Sequence, residues 1–171
     1  MMRLMAWCGT AMCAVLLVAG ASQAATLTLG STTINGAGAS SSVPIQVDVA
    51  DGIESADLTI SYDSTVVSPG TPTVTSLTSS CLVSANMTAP GALRIALACG
   101  TAPTGSGSLL DIPLQGVAPG TSALKLVGCS LVEDSLPCSI GPDGSVTVSP
   151  PTPTATATAT ATRTATATAT P

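Results

Sequence analysis

The chain contains no histidine and no phenylalanine, and it has one tryptophan, one tyrosine and four basic residues in 171. Without histidine, an imidazole base, a Ser/His/Asp triad or a histidine-bound metal is excluded. The scarcity of rings removes the stacked aromatic platforms on which many proteins hold sugars or nucleobases. Positive charge is as scarce. Between Ala25 and Ser149, nine acids stand against Arg94 and Lys125 alone, so nucleic acid and anionic lipid surfaces would be repelled. No catalytic constellation remains in view, no cofactor or metal is implied, and the composition points to a binding or scaffolding role rather than an enzyme.

Both ends differ in composition from the middle. Met1–Ala24 reads as a secretory signal: Arg3 precedes an apolar run through Val15, Leu16, Leu17 and Val18, and Ser22-Gln23-Ala24 supplies the small residues of a cleavage site. Trp7 lies in that segment, so Tyr62 is the one aromatic expected in the exported chain. Once the signal is cleaved, nothing in the sequence predicts membrane insertion, and a secreted or cell-surface location follows. Pro150–Pro171 is almost pure Thr, Ala and Pro; without large apolar side chains it reads as a disordered linker or O-glycosylated stalk. Residues 25–149 then form a domain of about 125 residues, close to the commonest domain size.

Cys8 and Cys13 fall in the signal, leaving Cys81, Cys99, Cys129 and Cys138. An even number of cysteines in an exported chain favours disulfides, and four allow three connectivities. Cys81–Cys99 and Cys129–Cys138 are the preferred pairs, because each brackets a plausible hairpin. Zinc binding is the rival use, but the chain lacks histidine and close Cys-x-x-Cys spacing.

The middle of the chain alternates apolar and polar residues with period two. Val43, Ile45, Val47 and Val49 share one face, as do Leu58, Ile60 and Tyr62; Leu93, Ile95 and Leu97; Leu110, Ile112 and Leu114; Leu124 and Leu126; Val146 and Val148. Leu27 and Leu29 mark a first strand. Turn signals such as Ala50-Asp51-Gly52, Ala89-Pro90-Gly91, Ala118-Pro119-Gly120 and Pro142-Asp143-Gly144 separate the runs. Strict alternation puts one side of each strand in a core and the other in water. The pattern predicts an all-β fold: a two-sheet antiparallel sandwich of jelly-roll type with about nine strands.

The segment Gly52-Ile53-Glu54-Ser55-Ala56-Asp57-Leu58-Thr59-Ile60-Ser61-Tyr62-Asp63, followed by Val66 and Val67, resembles the third-strand region of cohesin domains. Val43-Pro44-Ile45 resembles the opening of that family's second strand, Pro90–Leu97 its central strand and Gly107–Leu114 the strand after it. The resemblance spans roughly Ala25–Val148. It implies a nine-stranded jelly roll that binds a dockerin-type module, a small calcium-dependent partner, within polysaccharide-degrading assemblies. The calcium belongs to the partner. Because certain carbohydrate-binding modules share the fold, a polysaccharide is the alternative partner, and a structural cell-surface domain is a further one.

Carried over by position, the resemblance assigns partner contacts to the outward side of the Tyr-Asp strand, here Ser55, Asp57 and Thr59. Ser55 stands where cellulosomal cohesins commonly have Asn. Alternation independently turns these three away from Leu58, Ile60 and Tyr62, and turns Arg94 outward on the later strand. An acidic residue expected after that strand is matched here by Cys99. Other features have plainer readings. Tyr62 fits a core position with its hydroxyl at the rim. Asp48, Asp51, Glu54 and Asp63 fit turn chemistry better than a calcium loop. Glu133 and Asp134 are adjacent, so they do not straddle a sugar as glycosidase carboxylates do. Asn86-Met87-Thr88 matches the N-glycosylation pattern.

Overall fold

The computed structural model describes residues 24–151 other than Thr88 and Asp134. The expected signal up to Gln23 and the tail from Thr152 onward lie outside the described residues. The described chain forms twelve strands: β1 (Ala25–Leu29), β2 (Thr32–Ile34), β3 (Ser40–Val47), β4 (Ser55–Ser61), β5 (Val67–Pro69), β6 (Thr73–Val74), β7 (Cys81–Asn86), β8 (Ala92–Cys99), β9 (Gly107–Gly116), β10 (Gly120–Leu131), β11 (Cys138–Ile140) and β12 (Gly144–Val148). One sheet runs β11-β1-β3-β9-β5, with β6 also paired to β9; the other runs β2-β12-β10-β4-β8-β7. The two sheets enclose one aliphatic core as a jelly-roll sandwich.

Alternation explains the long strands directly. In β4, Ala56, Leu58 and Ile60 are buried while Asp57 is exposed; in β8, Leu93, Ile95 and Leu97 are buried while Arg94, Ala96 and Ala98 are exposed. Tyr62, just after β4, is half-buried against the core. The strands beyond the expected nine are short pieces of two or three residues, too short to carry a period. Pairing is antiparallel except at two places, where β1 runs parallel to β11 and β2 parallel to β12. There the chain's first and last strand segments lie side by side, each crossing from one sheet to the other.

With no ring larger than Tyr62 in the described region, the core is filled by Leu, Ile, Val and Ala, and Val43, Ile45, Val67, Leu109, Leu110 and Val146 are fully buried. Leu109 and Leu110 both point inward because the β3–β9 register shifts between Ile45 and Gln46, as a β-bulge allows. Thr78 and Ser122 are the buried polar residues. The Thr78 hydroxyl donates to Leu109 O at 2.7 Å and accepts from Thr75 N at 3.0 Å; Ser122 Oγ accepts from Asp63 N at 2.8 Å. No buried side-chain polar atom among the described residues lacks a partner, as a low-dielectric interior requires.

Both expected disulfides form. Cys81 and Cys99 face each other across β7 and β8, with Cα atoms 3.9 Å apart. Cys129–Cys138 differs from the expected hairpin staple. The chain does reverse tightly between Leu131 and Leu136, but Cys129 is on β10 in one sheet and Cys138 on β11 in the other. The bridge therefore ties the two layers together. The β7–β8 turn depends on Gly91: at φ 80° it occupies the left-handed region, and an added Cβ would approach Tyr62 O to 3.0 Å.

Ile45→Ala should lower stability by about 2–5 kcal/mol, since Ile45 is fully buried and its neighbours are fixed on both sheets; chemical denaturation measures the change, and a loss below ~1 kcal/mol would contradict the packing. Replacing Cys129 and Cys138 together by Ser should cost roughly 3 kcal/mol by releasing a short loop in the unfolded chain. The same measurement checks it, and an unchanged midpoint would show that the layers are held without the bridge.

Candidate functional site

The four residues singled out in the sequence lie on one surface. β4 pairs with β8 through an unbroken register from Ser55↔Ala98 through Asp57↔Ala96 and Thr59↔Arg94 to Ser61↔Ala92. β10 flanks β4 and β7 flanks β8. Adjacent strands sit about 4.8 Å apart, so the outward face from β10 to β7 is about 14 Å wide. Asp57 and Arg94 are exposed, and Ser55 and Thr59 are half-buried.

Register arranges this face in rows. One row runs Ser130, Asp57, Ala96, Ser84, and the next runs Gly128, Thr59, Arg94, Asn86. A third runs Ser55, Ala98, Leu82. Small side chains therefore fill the middle, and Asp57, Thr59, Ser84, Asn86, Arg94 and Ala96 line a shallow hollow of about 290 Å³. Gly128 keeps this end of the row low: a Cβ there would stand 3.3 Å from the Thr59 Cβ and hydroxyl, so Thr59 would have to give way. At one end, the Ser55 carbonyl accepts a 3.0 Å hydrogen bond from Val132 N. The β10–β11 turn thus closes over that end, with Val132 and Glu133 at φ 47° and 52°. Cys99, where the resemblance expects an acid, is half-buried and bonded to Cys81.

Leu82, Ser84 and Asn86 on β7 and Val127, Gly128 and Ser130 on β10 also belong to this face, and sequence reasoning did not find them. On β7 the signal was the weak inward series Cys81, Val83, Ala85, masked by the outward Leu82. On β10 the periodicity changes phase at a bulge between Leu126 and Gly128, which brings Gly128 and Ser130 onto the same face as Val127 and cannot be read from alternation. Lys125, on the same strand, is 3.3 Å from Asp143 Oδ2.

Asp48, Asp51 and Asp63 act as turn-builders. Asp48 Oδ1 accepts from Thr26 N at 2.6 Å and Val49 N at 2.7 Å, and Asp51 Oδ1 accepts from Gly105 N at 2.8 Å. Asp63 Oδ1 accepts from the Thr65 hydroxyl at 2.6 Å and Thr65 N at 2.9 Å. The hydrogen bond from Thr26 N is the main force holding the Asp48 carboxyl below its ordinary value of 3.8. The Thr65 hydroxyl does the same for Asp63, with Thr65 N next. Glu133 is exposed in its turn.

No known family model matches the sequence, and no curated relative matches it either. Solved structures do match the fold. A non-cellulosomal cohesin from the archaeon Archaeoglobus fulgidus aligns over 74% of this chain and 91% of its own, with TM-score 0.62 and 21% identity. A cohesin module from a Clostridium perfringens family 33 glycoside hydrolase aligns over 74% and 98%, with TM-score 0.62 and 14% identity. The sixth cohesin of Acetivibrio cellulolyticus scaffoldin B, solved in complex with a Cel5 dockerin mutant, aligns over 74% and 99%, with TM-score 0.59 and 17% identity. The fold of this chain is therefore cohesin-like. No helix among the described residues is long and apolar enough to cross a membrane.

The hydrogen-bonded carboxylates set an acid limit. With folded values depressed, the stability that Asp48 and Asp63 contribute is complete above the ordinary value of 3.8 and is lost as pH falls through the folded values below it. Thermal unfolding should therefore hold steady from neutral pH down to about pH 5 and decline below about pH 4. Replacing both residues by Asn should flatten part of that decline; an identical acid limb in the double variant would refute the assignment.

Proposed function

We propose that this chain is an exported, non-catalytic module that captures a dockerin-type protein partner on the outward face of β10, β4, β8 and β7. The observation that carries the reading is the convergence of Ser55, Asp57, Thr59 and Arg94 on one flat surface of the second sheet, in a fold shared with cohesins, one of them solved with a dockerin bound. The rows of Ala96, Ala98, Ser84 and Gly128 let a partner backbone come close. Asp57 then accepts hydrogen bonds at the centre while Thr59 and Arg94 donate beside it. Such charge-assisted bonds, once shielded from water, are stronger than neutral ones.

In this reading Met1–Ala24 is the export signal, residues 25–149 are the binding domain, and Pro150–Pro171 is the linker that lets the domain reach its partner. The link to polysaccharide-degrading assemblies rests on the resemblance alone. A direct polysaccharide site finds less support, because Tyr62 is half-buried against the core rather than presented as a platform.

Capture is measured by calorimetry or pull-down against dockerin modules encoded with this chain. Asp57→Ala should weaken binding about tenfold or more, the scale of one central interface contact. Undiminished capture would remove this face from the proposal. Affinity electrophoresis on cellulose, xylan and chitin completes the test: retardation on any of them, without dockerin capture, would replace the reading with a carbohydrate-binding one.

A further inference from the structure

The second sheet ends at β7, and the phase of its hydrogen bonds decides what that edge offers. Gly100 N donates to Ser80 O at 3.3 Å, while Cys99 N turns to the other side of β8 and donates to Glu54 O at 2.8 Å. Bonded and non-bonded positions alternate along an antiparallel pair. The pairs Leu82↔Ala98, Ser84↔Ala96 and Asn86↔Arg94 therefore carry the ladder bonds, and Cys81↔Cys99, Val83↔Leu97 and Ala85↔Ile95 do not. The Cα atoms of Cys81 and Cys99 are only 3.9 Å apart, as suits a non-bonded pair. Cys81, Val83 and Ala85 thus turn their N–H and C=O groups to the open side. Cys81 N donates to Thr78 O at 2.9 Å; the Cys81 carbonyl and both groups of Val83 and Ala85 meet no backbone partner among the described residues.

The remaining edge strands are blunted. β5 carries Pro69, and β2, β6 and β11 are two or three residues long. β7 has six residues, no proline and no charge, and its Leu82 is 80% exposed. Folded proteins ordinarily blunt or cover an edge of this kind. What fits it is another extended segment, whose backbone supplies the missing bonds.

We infer that this edge seats the chain's own tail, with residues 164–170 adding as an antiparallel strand outside β7. The inference does not depend on the docking reading. Thr164, Thr166, Thr168 and Thr170 alternate with Ala165, Ala167 and Ala169, so an extended chain sorts β-branched residues to one side and methyl groups to the other. The threonines fall on the outward side beside Leu82 and Ser84, and the alanines on the inward side beside Val83 and Ala85. The segment has neither proline nor charge to interrupt a ladder.

Reach selects it over the earlier repeats. Val148 is level with Gly120 on β10, and Ala85 is level with Cys129 through Ile95 and Leu58. From Val148 to a strand outside β7 is about 24 Å sideways and about 26 Å lengthwise, or about 35 Å in all. About eleven extended residues cross that distance and bring the chain to Thr160. Too few residues then remain before Arg163 to match β7, so the first sufficient run starts at Thr164. The chain arrives from the Asn86 end and runs opposite to β7. Because segment and edge belong to one molecule, pairing proceeds at an effective concentration set by the connecting residues. Charge favours the tail over a second copy as occupant: the domain's nine acids against Arg94 and Lys125 repel their like, whereas the one charged side chain of the tail is Arg163. Release from β7 returns the linker to its full length.

Amide exchange in the full chain, followed by NMR, tests the inference. The Val83 and Ala85 N–H groups should exchange at least about tenfold more slowly than in Thr166→Pro/Ala167→Pro, which removes two adjacent donors from the added strand. Ser84 N–H, bonded to β8, should be equally protected in both proteins, and their thermal midpoints should coincide because the substitutions lie beyond β12. Protection in the full chain should also be independent of dilution. Val83 and Ala85 amides that exchange there at open-edge rates would overturn the inference. Protection that survives both prolines would overturn it as well: a loss on dilution would identify a second copy as the occupant, and no loss would assign the protection to local burial.

Discussion

The seven-pair ladder between β4 and β8 sets which side chains the second sheet keeps and which it shows. In a pleated strand the side-chain period is two, so a slip of one residue would place Leu58 and Ile60 in water and bury Asp57 and Thr59. A core without large rings offers no single bulky group to lock the register. Alignment has to come from many aliphatic contacts at once and from devices outside the core. The Cys81–Cys99 bridge supplies one, the left-handed turn at Gly91 another, and the bond from Cys99 N to Glu54 O extends the alignment one step past the strand end. These features hold the edge that a six-stranded open sheet would otherwise leave loose.

The same economy shapes the surface. Where many sandwiches present rings, the hollow on this face is lined by small and polar side chains, with Asp57 and Arg94 as its charged residues. A surface of that kind gains little from grasping a small ligand, because few atoms converge on any point. It suits a broad, complementary partner surface, where close approach of backbones and exclusion of water give a few polar contacts their strength. Asp48, Asp51 and Asp63, away from this face, are occupied in holding loop backbone.

How far the sequence foretold this differs from strand to strand. β3, β4, β8 and β12, and β9 from Leu110 onward, were legible because inward apolar residues recur there at every second position, and the outward placement of Ser55, Asp57, Thr59 and Arg94 followed. β7 was not, because its outward position holds Leu82 and reverses the polarity that a reader expects. The bulge at Val127 was hidden for a different reason: an inserted residue is a property of two strands, visible only once β10 is laid against β4. Likewise, Cys129–Cys138 was paired correctly from spacing, but its role between layers depends on β11 joining the opposite sheet, which a local pattern does not encode.

The parallel neighbours β1/β11 and β2/β12 have a mechanical meaning. Ala25 stands beside Cys138, and Ile34 beside Val148, so the strands that open and close the domain run the same way and are joined along their length. Tension applied through the two ends would pull these segments in opposite directions. The load would then fall in shear across several hydrogen bonds together, where an antiparallel pair pulled from one end would peel apart one bond at a time. The pairing therefore sets the domain against extension along the line joining its ends.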